Sequence, residues 1–233
     1  VHGGAVTLGE VLPYLSLESR LEERRDQKAE LSRAAMAFIS EGDVIGVDAG
    51  STAVDFADQL VQHFNSLTVV TSCMDVFNHL CRQQNMSVIL CAGHYSRPLN
   101  GFYGPLVVDS LKKLHMQKFF MFPAAVSLKY GICDHEPHWT ATTNQYCASS
   151  EEIYILADSS KFEKSALMKV SEMNPQYTYI TDSSLSPELS HLPSKQFVFT
   201  LILIPPIILI FPSHQAQPRH RRALPLLYPT VSH

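Results

Sequence analysis

The sequence has few of the residues that would indicate a disulfide-stabilised, zinc-binding or nucleic-acid-binding protein. Its 233 residues include five cysteines, an odd number without a CxxC pair, which argues against a disulfide framework and predicts reduced, mostly buried thiols. Residues 1–188 carry 22 acids against 14 bases, a net charge of −8, so this part lacks the basic face that binds a phosphate backbone. No charged segment followed by an apolar core opens the chain, and we therefore expect no secretory signal.

What the sequence does contain is a regular alternation of short apolar runs and helix-forming stretches. The runs predict six strands, over 44–47, 67–70, 86–91, 118–122, 153–157 and 177–180. An amphipathic helix over 17–39 precedes the first strand, and the remaining helices are predicted over about 52–64, 73–84, 104–115 and 139–150. This pattern is typical of an α/β protein with a Rossmann-like parallel sheet flanked by helices, in which ligands bind where strands end and helices begin.

The two ends of the chain differ from this body. Residues 1–16 are short and turn-rich, without a helix-turn-helix or zinc-finger pattern. Residues 189–233 contain no acid, and their apolar run over 197–211 is interrupted by two prolines and followed by a Pro/His/Arg-rich segment. The run is shorter than the roughly 20 residues that cross a bilayer. A membrane hairpin, a basic tail, an atypical terminus, and one strand before a disordered end all stay open.

The clearest chemical signal lies between the first strand and the following helix, in Asp48-Ala49-Gly50-Ser51-Thr52. Gly50 allows a tight turn, and Ser51 and Thr52 bring hydroxyl groups beside the N–H groups at the start of the helix. A helix N-terminus attracts anions, so this loop is predicted either to bind a phosphate or only to cap the helix. It lacks the lysine of a P-loop and the glycines of a dinucleotide fold, which argues against a nucleotide.

Three more polar segments follow strands at the same predicted edge of the sheet. Thr71-Ser72 adds hydroxyl groups after the second strand. Gly93 and Arg97 add a flexible turn and a guanidinium after the third strand, and a guanidinium can bind phosphate with two hydrogen bonds. Lys161 adds a point charge after the fifth strand. Taken singly, each of these side chains could equally belong to a solvated turn.

One segment concentrates residue types that can bind metals, from Asp134 to His138. Its spacing matches no zinc motif, and Pro137 indicates a loop. We interpret it as a polar loop at the sheet edge that could act as a lid, and we expect neither a bound metal nor a cofactor.

Several segments, taken in order, resemble the effector-binding domain of DeoR-type transcription regulators. The motifs that carry the resemblance are EGDVIGVDAGST, LTVVTS, VILCAGHYSR, YGPL, ILADSSKF and YITD. ILADSSKF is similar to the family's LADSSKF loop almost letter for letter, and the opening VHGGAV resembles the linker that follows the family's winged helix-turn-helix. The resemblance covers about residues 1–186 in the family's order and spacing.

The resemblance implies a fold similar to ribose-5-phosphate isomerase and glucosamine-6-phosphate deaminase, and a sensor that binds a phosphorylated sugar and controls a transcriptional repressor. Residues 1–16 would be a linker remnant after a missing DNA-binding domain, 17–188 the sensor and 189–233 an atypical tail. The implied effector-site positions are Asp48, Gly50, Ser51, Thr52, Thr71, Ser72, Gly93, Arg97 and Lys161. We further expect a cytoplasmic homo-oligomer that reaches DNA only through the missing domain and has no membrane partner.

The sequence departs from the family where the sugar would bind. The family has a Gly-rich segment after its fourth strand, whereas residues 121–127 read MFPAAVS here. The family also has an acidic residue and a Lys-Arg pair on the next helix, where this chain has Trp139 and Thr143-Asn144. These differences affect the sugar end of the expected site more than its phosphate end.

An enzymatic alternative is a sugar-phosphate isomerase or deaminase of the same fold. Isomerisation needs a carboxylate base over the reacting sugar carbon. Asp134 and Glu136 are candidates, with Asp75 more remote, and none lies in a motif that resembles an isomerase active site. We therefore expect a sensor rather than an enzyme.

Overall fold

The fold is built around one eight-stranded sheet in the computed structural model, which describes residues 10–11, 17–182, 184–185, 199–204 and 207–212. The strands of these residues are, in chain order, β1 (Glu10–Val11), β2 (Val44–Val47), β3 (Leu67–Thr71), β4 (Met86–Leu90), β5 (His94–Ser96), β6 (Gly101–Tyr103), β7 (Met116–Met121), β8 (Ala125–Ser127), β9 (Gly131–Asp134), β10 (Ser150–Leu156), β11 (Lys164–Ser165), β12 (Met168–Ser171), β13 (Thr178–Asp182), β14 (Phe199–Ile204) and β15 (Ile207–Pro212). The α-helices are α1 (Leu17–Glu22), α2 (Arg25–Ala35), α3 (Ser51–His63), α4 (Met74–Leu80), α5 (Pro105–Leu111) and α6 (Thr140–Ala148).

Six strands of the central sheet run parallel, in the order β13-β10-β7-β2-β3-β4. These are the six strands predicted from the apolar runs, and the α/β fold with a parallel sheet flanked by helices is confirmed. β15 and β14 continue the sheet beyond β13 in antiparallel pairing. Three small sheets lie beside it, with the orders β1-β11, β12-β9-β8 and β5-β6.

The side chains of β7 show why helices cover both faces of the sheet. Successive residues of a strand point to opposite faces. Phe119 stacks on Tyr146 of α6, with ring centroids 4.8 Å apart, while Phe120 packs against Phe56 of α3 at 4.7 Å. All four rings are fully buried. The sheet thus separates two apolar cores, and each core anchors the helices that follow the strands.

The predicted helix over 17–39 is interrupted, which corrects the sequence interpretation. α1 ends at Glu22, and α2 begins at Arg25 after Arg24, whose φ of 51° lies in the left-handed region. This conformation costs free energy for a residue other than glycine. It therefore persists only where tertiary contacts stabilise it. The Arg24 guanidinium lies 3.5 Å from the Asp158 carboxylate and donates a hydrogen bond to the Ser159 hydroxyl. This contact with a loop 134 positions away is not visible in the local sequence pattern.

The C-terminal part of the chain adds two strands to the sheet, β15 and β14, rather than the single strand that was one of the open alternatives. β14 and β15 pair antiparallel with Ile204 opposite Ile207, on either side of the two prolines. The tail from residue 213 onward, with the basic cluster at 219–222, lies outside the described residues. Residues 1–16 lie outside them as well, apart from β1. Among the described residues, no helix combines the length and the apolar character needed to cross a membrane.

Candidate functional site

A cavity of about 270 Å³ lies at the carboxyl ends of three parallel strands. Residues 49–52 follow β2, residues 122–124 follow β7, and the segment around Lys161 follows β10. Because parallel strands end at one edge of the sheet, loops far apart in the chain meet there. Residues of α1, α2 and β9 complete the wall.

The loop after β2 forms one end of the cavity. Gly50 has φ 149° and ψ 171°, a backbone conformation that is essentially restricted to glycine. α3 begins directly after it without a side-chain cap, so Ser51 and Thr52 open the helix on the cavity wall rather than closing its first turn. A helix start of this kind presents N–H groups and the positive end of the helix dipole, which together favour an anion.

Lys161 lines the same cavity and adds a positive charge to its lining. The lysine ends the 3-10 turn Ser159–Lys161, which begins at Asp158; the Asp158 carboxylate accepts a hydrogen bond from the Ser160 N–H at 2.9 Å. We call Gly50, Ser51, Thr52 and Lys161 the anion end of the cavity. All four were among the predicted effector-site residues.

Three further cations line the cavity and were not predicted: Arg20, Lys28 and Lys164. Lys28 is 4% exposed, and its ammonium group donates to the main-chain carbonyls of Arg20 and Leu21, at the C-terminal end of α1. Burial lowers its pKa, and the charges of Asp55 and Asp158 oppose this effect. An ammonium has three N–H donors, so two carbonyls do not exhaust it. The charged residues of an amphipathic helix gave no sign that Lys28 would be buried.

The cavity lining also contains Asp134, His135 and Trp139, which we call the polar end. The Asp134 carboxylate accepts a hydrogen bond from the His135 N–H at 2.6 Å. Burial raises the pKa of Asp134, and burial together with the charges of Arg20 and Lys161 lowers the pKa of His135. Both shifts favour the neutral forms, which can donate and accept hydrogen bonds with hydroxyl groups.

Asp48 connects two residues of the cavity lining, Ala49 and Trp139. One oxygen of its buried carboxyl group, Oδ1, accepts hydrogen bonds from Trp139 Nε1 and from the Ala49 N–H, both at 2.9 Å. Burial raises the pKa of Asp48 to about 7, against the effect of these two donors. Asp48 does not line the cavity itself and instead holds the indole that does.

The other four predicted effector-site residues lie outside the cavity lining. The Thr71 hydroxyl is fully buried between the Val47 carbonyl at 2.9 Å and the Cys73 N–H at 3.1 Å, so it supports the end of β3. Ser72 is fully buried as well, and Arg97 is exposed. A Cβ atom on Gly93 would lie 2.6 Å from the Tyr103 carbonyl oxygen, so this glycine allows close main-chain packing.

Possible metal ligands do not gather at the cavity. Within the part of the chain that the structure describes, no group of three or more His, Cys, Asp or Glu side chains could hold an ion. The segment from Asp134 to His138 therefore contributes single polar groups to the cavity.

Solved structures with a similar chain path include ribose 5-phosphate isomerases. The isomerase A of Neisseria gonorrhoeae has a TM-score of 0.42 at 16% identity, covering 58% of this chain and 52% of the isomerase. A ribose 5-phosphate isomerase from Plasmodium falciparum has a TM-score of 0.40 at 11% identity, covering 79% and 77%.

Curated relatives are transcription regulators. The transcriptional repressor AccR of Agrobacterium fabrum is 28% identical over 195 residues, which is 83% of this chain and 75% of the relative. The lactose phosphotransferase system repressor of Staphylococcus epidermidis is 29% identical over 79% of this chain and 73% of its own length. The putative aga operon transcriptional repressor of Escherichia coli O157:H7 is 27% identical over 72% of this chain and 63% of its own.

The family assignment rests on most of the folded body. The family model described as the DeoR C terminal sensor domain matches residues 23–183, which span the six parallel strands, α2 to α6 and the anion end of the cavity. The resemblance seen in the sequence motifs is thereby confirmed: this chain belongs to the family of DeoR C-terminal sensor domains.

Proposed function

We propose that this sensor domain binds a phosphorylated sugar in the cavity, with the phosphate at the anion end, and that binding controls an attached DNA-binding domain. The observation that carries the proposal is the start of α3, which has no side-chain cap and lines the cavity together with Lys161. A phosphate has the charge and the acceptor oxygens that such a helix start favours. Lys28 adds a second positive charge to the same wall.

The polar end supports a ligand that also carries hydroxyl groups. Asp134 and His135 offer hydrogen-bonding groups there, and Trp139 offers an apolar surface for a carbon chain or a ring. Carbohydrate sites commonly combine a few polar groups with an apolar wall. The names of relatives, a lactose phosphotransferase system repressor and an L-fucose operon activator, are consistent with carbohydrate effectors.

The N-terminal segment provides a route from the cavity to a preceding domain. Arg20 and Glu23 of this segment line the cavity together with Lys28. β1 pairs with β11, and β11 contains Lys164, which also lines the cavity. A ligand that contacts these cations would therefore bias the position of the segment that precedes the sensor domain, which is the physical requirement for coupling two sites.

Asp134 gives the isomerase alternative its one specific support. It is a half-buried carboxyl group in the cavity wall with a raised pKa, as a general base for proton transfer would need. The curated relatives are regulators, which favours binding without turnover. A coupled assay with ribose 5-phosphate separates the two functions, and measurable isomerisation that Asp134→Asn abolishes would favour the enzyme.

A thermal-shift screen tests the proposal directly. Phosphorylated sugars and the same sugars without phosphate are compared at equal concentrations. A ligand at about 100 times its Kd adds roughly 2.7 kcal/mol to the free energy of unfolding, so a true effector gives a clear rise in melting temperature. We expect the rise with one or more phosphorylated sugars and none with their unphosphorylated partners. A screen in which no phosphorylated sugar stabilises the protein would contradict the proposal.

The position of the phosphate is tested by removing the two hydroxyl groups of the anion end. Ser51→Ala with Thr52→Ala should weaken the binding of the sugar phosphate found in the screen, measured by calorimetry, with the fold intact. The loss should be about tenfold, because each hydrogen bond to a charged group contributes on the order of 1 kcal/mol or more. The matched control removes two hydroxyl groups outside the cavity, Ser40→Ala with Ser66→Ala, both exposed. Equal affinities in both double variants would place the phosphate elsewhere.

A further inference from the structure

The N-terminal segment, β1 together with residues 17–24, is held to the rest of the described chain by residues of the cavity lining. β1 pairs with β11 at Lys164. The Arg24 guanidinium lies 3.5 Å from the Asp158 carboxylate, and the Lys28 ammonium donates to two main-chain carbonyls of α1. Lys164, Asp158 and Lys28 all line the cavity. A ligand in the cavity therefore meets the groups that hold this segment in place.

Lys28 connects α1 to the cavity most directly, because its ammonium group bonds to α1 and its side chain lines the cavity. The ammonium donates to the carbonyl oxygens of Arg20 and Leu21, the second at 3.3 Å. Burial lowers the pKa of Lys28, and the positive charge of Lys161 contributes to the decrease. The charge of Lys28 is thus within electrostatic range of the anion end. A bound anion would relieve this repulsion and attract the Lys28 ammonium.

The end of α1 depends on contacts of this kind. The last carbonyls of a helix have no partners within the helix, and a cation stabilises that end of the helix dipole. α1 has six residues, and a helix of this length is not stable in water without tertiary contacts. Arg24 follows it in a left-handed conformation and forms a partly exposed ion pair with Asp158. Loss of the buried Lys28 contact should therefore loosen α1.

A phosphate is a stronger acceptor for the Lys28 ammonium than the carbonyls of α1 are. Hydrogen bonds between two ions are shorter and stronger than hydrogen bonds to neutral carbonyls. The ammonium has a third N–H group beyond the two that bond to α1, and this group can make the first contact with an anion. The stronger acceptor then draws the ammonium away from the carbonyls.

We propose that Lys28 is a ligand-operated tether. In the free protein it holds α1 at the cavity, and an anionic ligand at the anion end draws its ammonium away from α1 and loosens the N-terminal segment. The inference rests on the proposed function and gives its coupling a mechanism and a sign. Ligand binding releases the segment that precedes the sensor domain and does not tighten it.

Amide hydrogen exchange of the full chain tests the tether, with inorganic phosphate and ribose 5-phosphate as probes and calorimetry as the measure of binding. At saturation with a probe that binds, the amides of α1 should exchange about tenfold faster, the effect of one lost hydrogen bond from a charged donor. Amides at the start of α3 should exchange more slowly, because the anion covers them. Binding with unchanged or slower exchange in α1 would overturn the tether and leave the proposed function standing. Failure of both probes to bind would overturn the two together.

Lys28→Met separates the tether from the anion site, because methionine keeps an apolar stem of similar length and has no N–H donor. The amides of α1 should exchange about tenfold faster in this variant before any probe is added, and saturating phosphate should cause no further increase. The matched control is Arg33→Met, which removes an exposed cation from the same helix and should leave both the exchange of α1 and its response to phosphate unchanged. A full response to phosphate in Lys28→Met would overturn the tether.

Discussion

The two ends of the cavity are built in different ways. The anion end comes from two short segments, and its groups stand immediately after the strands that carry them: Gly50, Ser51 and Thr52 after β2, and Lys161 after β10. The polar end combines β9 and the segment before α6 with the buried carboxyl group of Asp48, which holds Trp139. The first depends on main-chain geometry at a strand–helix junction, whereas the second depends on side-chain packing between distant parts of the chain. A strand–helix junction leaves a signature in the sequence, and packing of this kind does not.

The largest difference between the two ends should appear in stability when Trp139 is removed. Trp139→Ala deletes a buried ring and one hydrogen bond, and core substitutions of this size lower the free energy of unfolding by about 3–5 kcal/mol. The control is Leu106→Ala, at a side chain that is 66% exposed. Denaturant unfolding measures both variants. A loss as small as that of the control would mean that Trp139 contributes little to the packing of the polar end.

Asp48 should make stability depend on pH. Its folded-state pKa is about 7 against an ordinary 3.8, because burial disfavours the charged form. The folded protein therefore holds this proton more tightly than the unfolded chain, and the stabilisation, which is present below 3.8, is lost as pH rises through about 7. Asp48→Asn keeps an oxygen that can accept from Trp139 and Ala49 but does not titrate. The free energy of unfolding of Asp48→Asn, relative to that of the unsubstituted protein, should therefore rise by a few kcal/mol as pH increases from 3.8 to about 7.

Asp182→Asn is the matched control for this pH dependence, because its sign is opposite. Burial acts to raise the pKa of Asp182, but hydrogen bonds from Ser159 and Ser184 outweigh it and hold the pKa below the ordinary value. The stabilisation from Asp182 is therefore present above the ordinary carboxyl value and is lost as pH falls through the lowered folded pKa. Denaturation across a series of pH values measures both variants. Parallel profiles for Asp48→Asn and the original protein would contradict the assignment to Asp48.

Lys161 tests whether the anion end, rather than the polar end, binds the phosphate. If Lys161 pairs with the phosphate, Lys161→Ala should lower the affinity for a sugar phosphate by about tenfold, equal to roughly 1.4 kcal/mol. The affinity for the unphosphorylated sugar should not change. Lys112→Ala is the control, since Lys112 is exposed and pairs with Asp109 on α5. Calorimetry with both ligands distinguishes the outcomes, and equal losses for both would mean that Lys161 supports its loop instead.

The smallest effect is expected at Arg24, where the N-terminal helices meet the loop after β10. The Arg24–Asp158 pair is partly exposed, with Arg24 38% and Asp158 4% accessible. Arg24→Ala should therefore lower the free energy of unfolding by less than about 1 kcal/mol. The exposed Arg33 provides the control variant. A loss of several kcal/mol, measured by denaturant unfolding, would show that this contact holds α1 and α2 against the cavity.

The strands were predictable because each contains a short apolar run, which in the strands inside the sheet is mostly buried. β2 over 44–47 was predicted to the residue, and the other five parallel strands shifted at their ends by three residues or fewer. The helix over 17–39 was predicted as continuous and is broken at Arg24. The break depends on Asp158 and Ser159, which lie far along the chain, so periodicity within the helix could not reveal it.

The proposed site was predictable only in part for a similar reason. Thr71 and Ser72 follow their strand just as Ser51 and Thr52 do, yet they are buried outside the cavity lining. Arg97 is exposed in the segment that connects β5 to β6, a small hairpin that no local signal indicated. Their role in effector binding stays a prediction.

The sequence by itself determined the chain order of the six parallel strands, the family and the strand–helix junction at Gly50, because each depends on a few adjacent residues and their backbone preferences. Tertiary structure decided which charges meet in the cavity: Arg20 and Lys28 reach it from helices that precede the first parallel strand, and Lys164 reaches it from β11. It also decided that Asp48 holds Trp139 across 91 positions of the chain. Such contacts follow from how the helices pack on the sheet, and a buried carboxyl group finds its partner only once that packing exists.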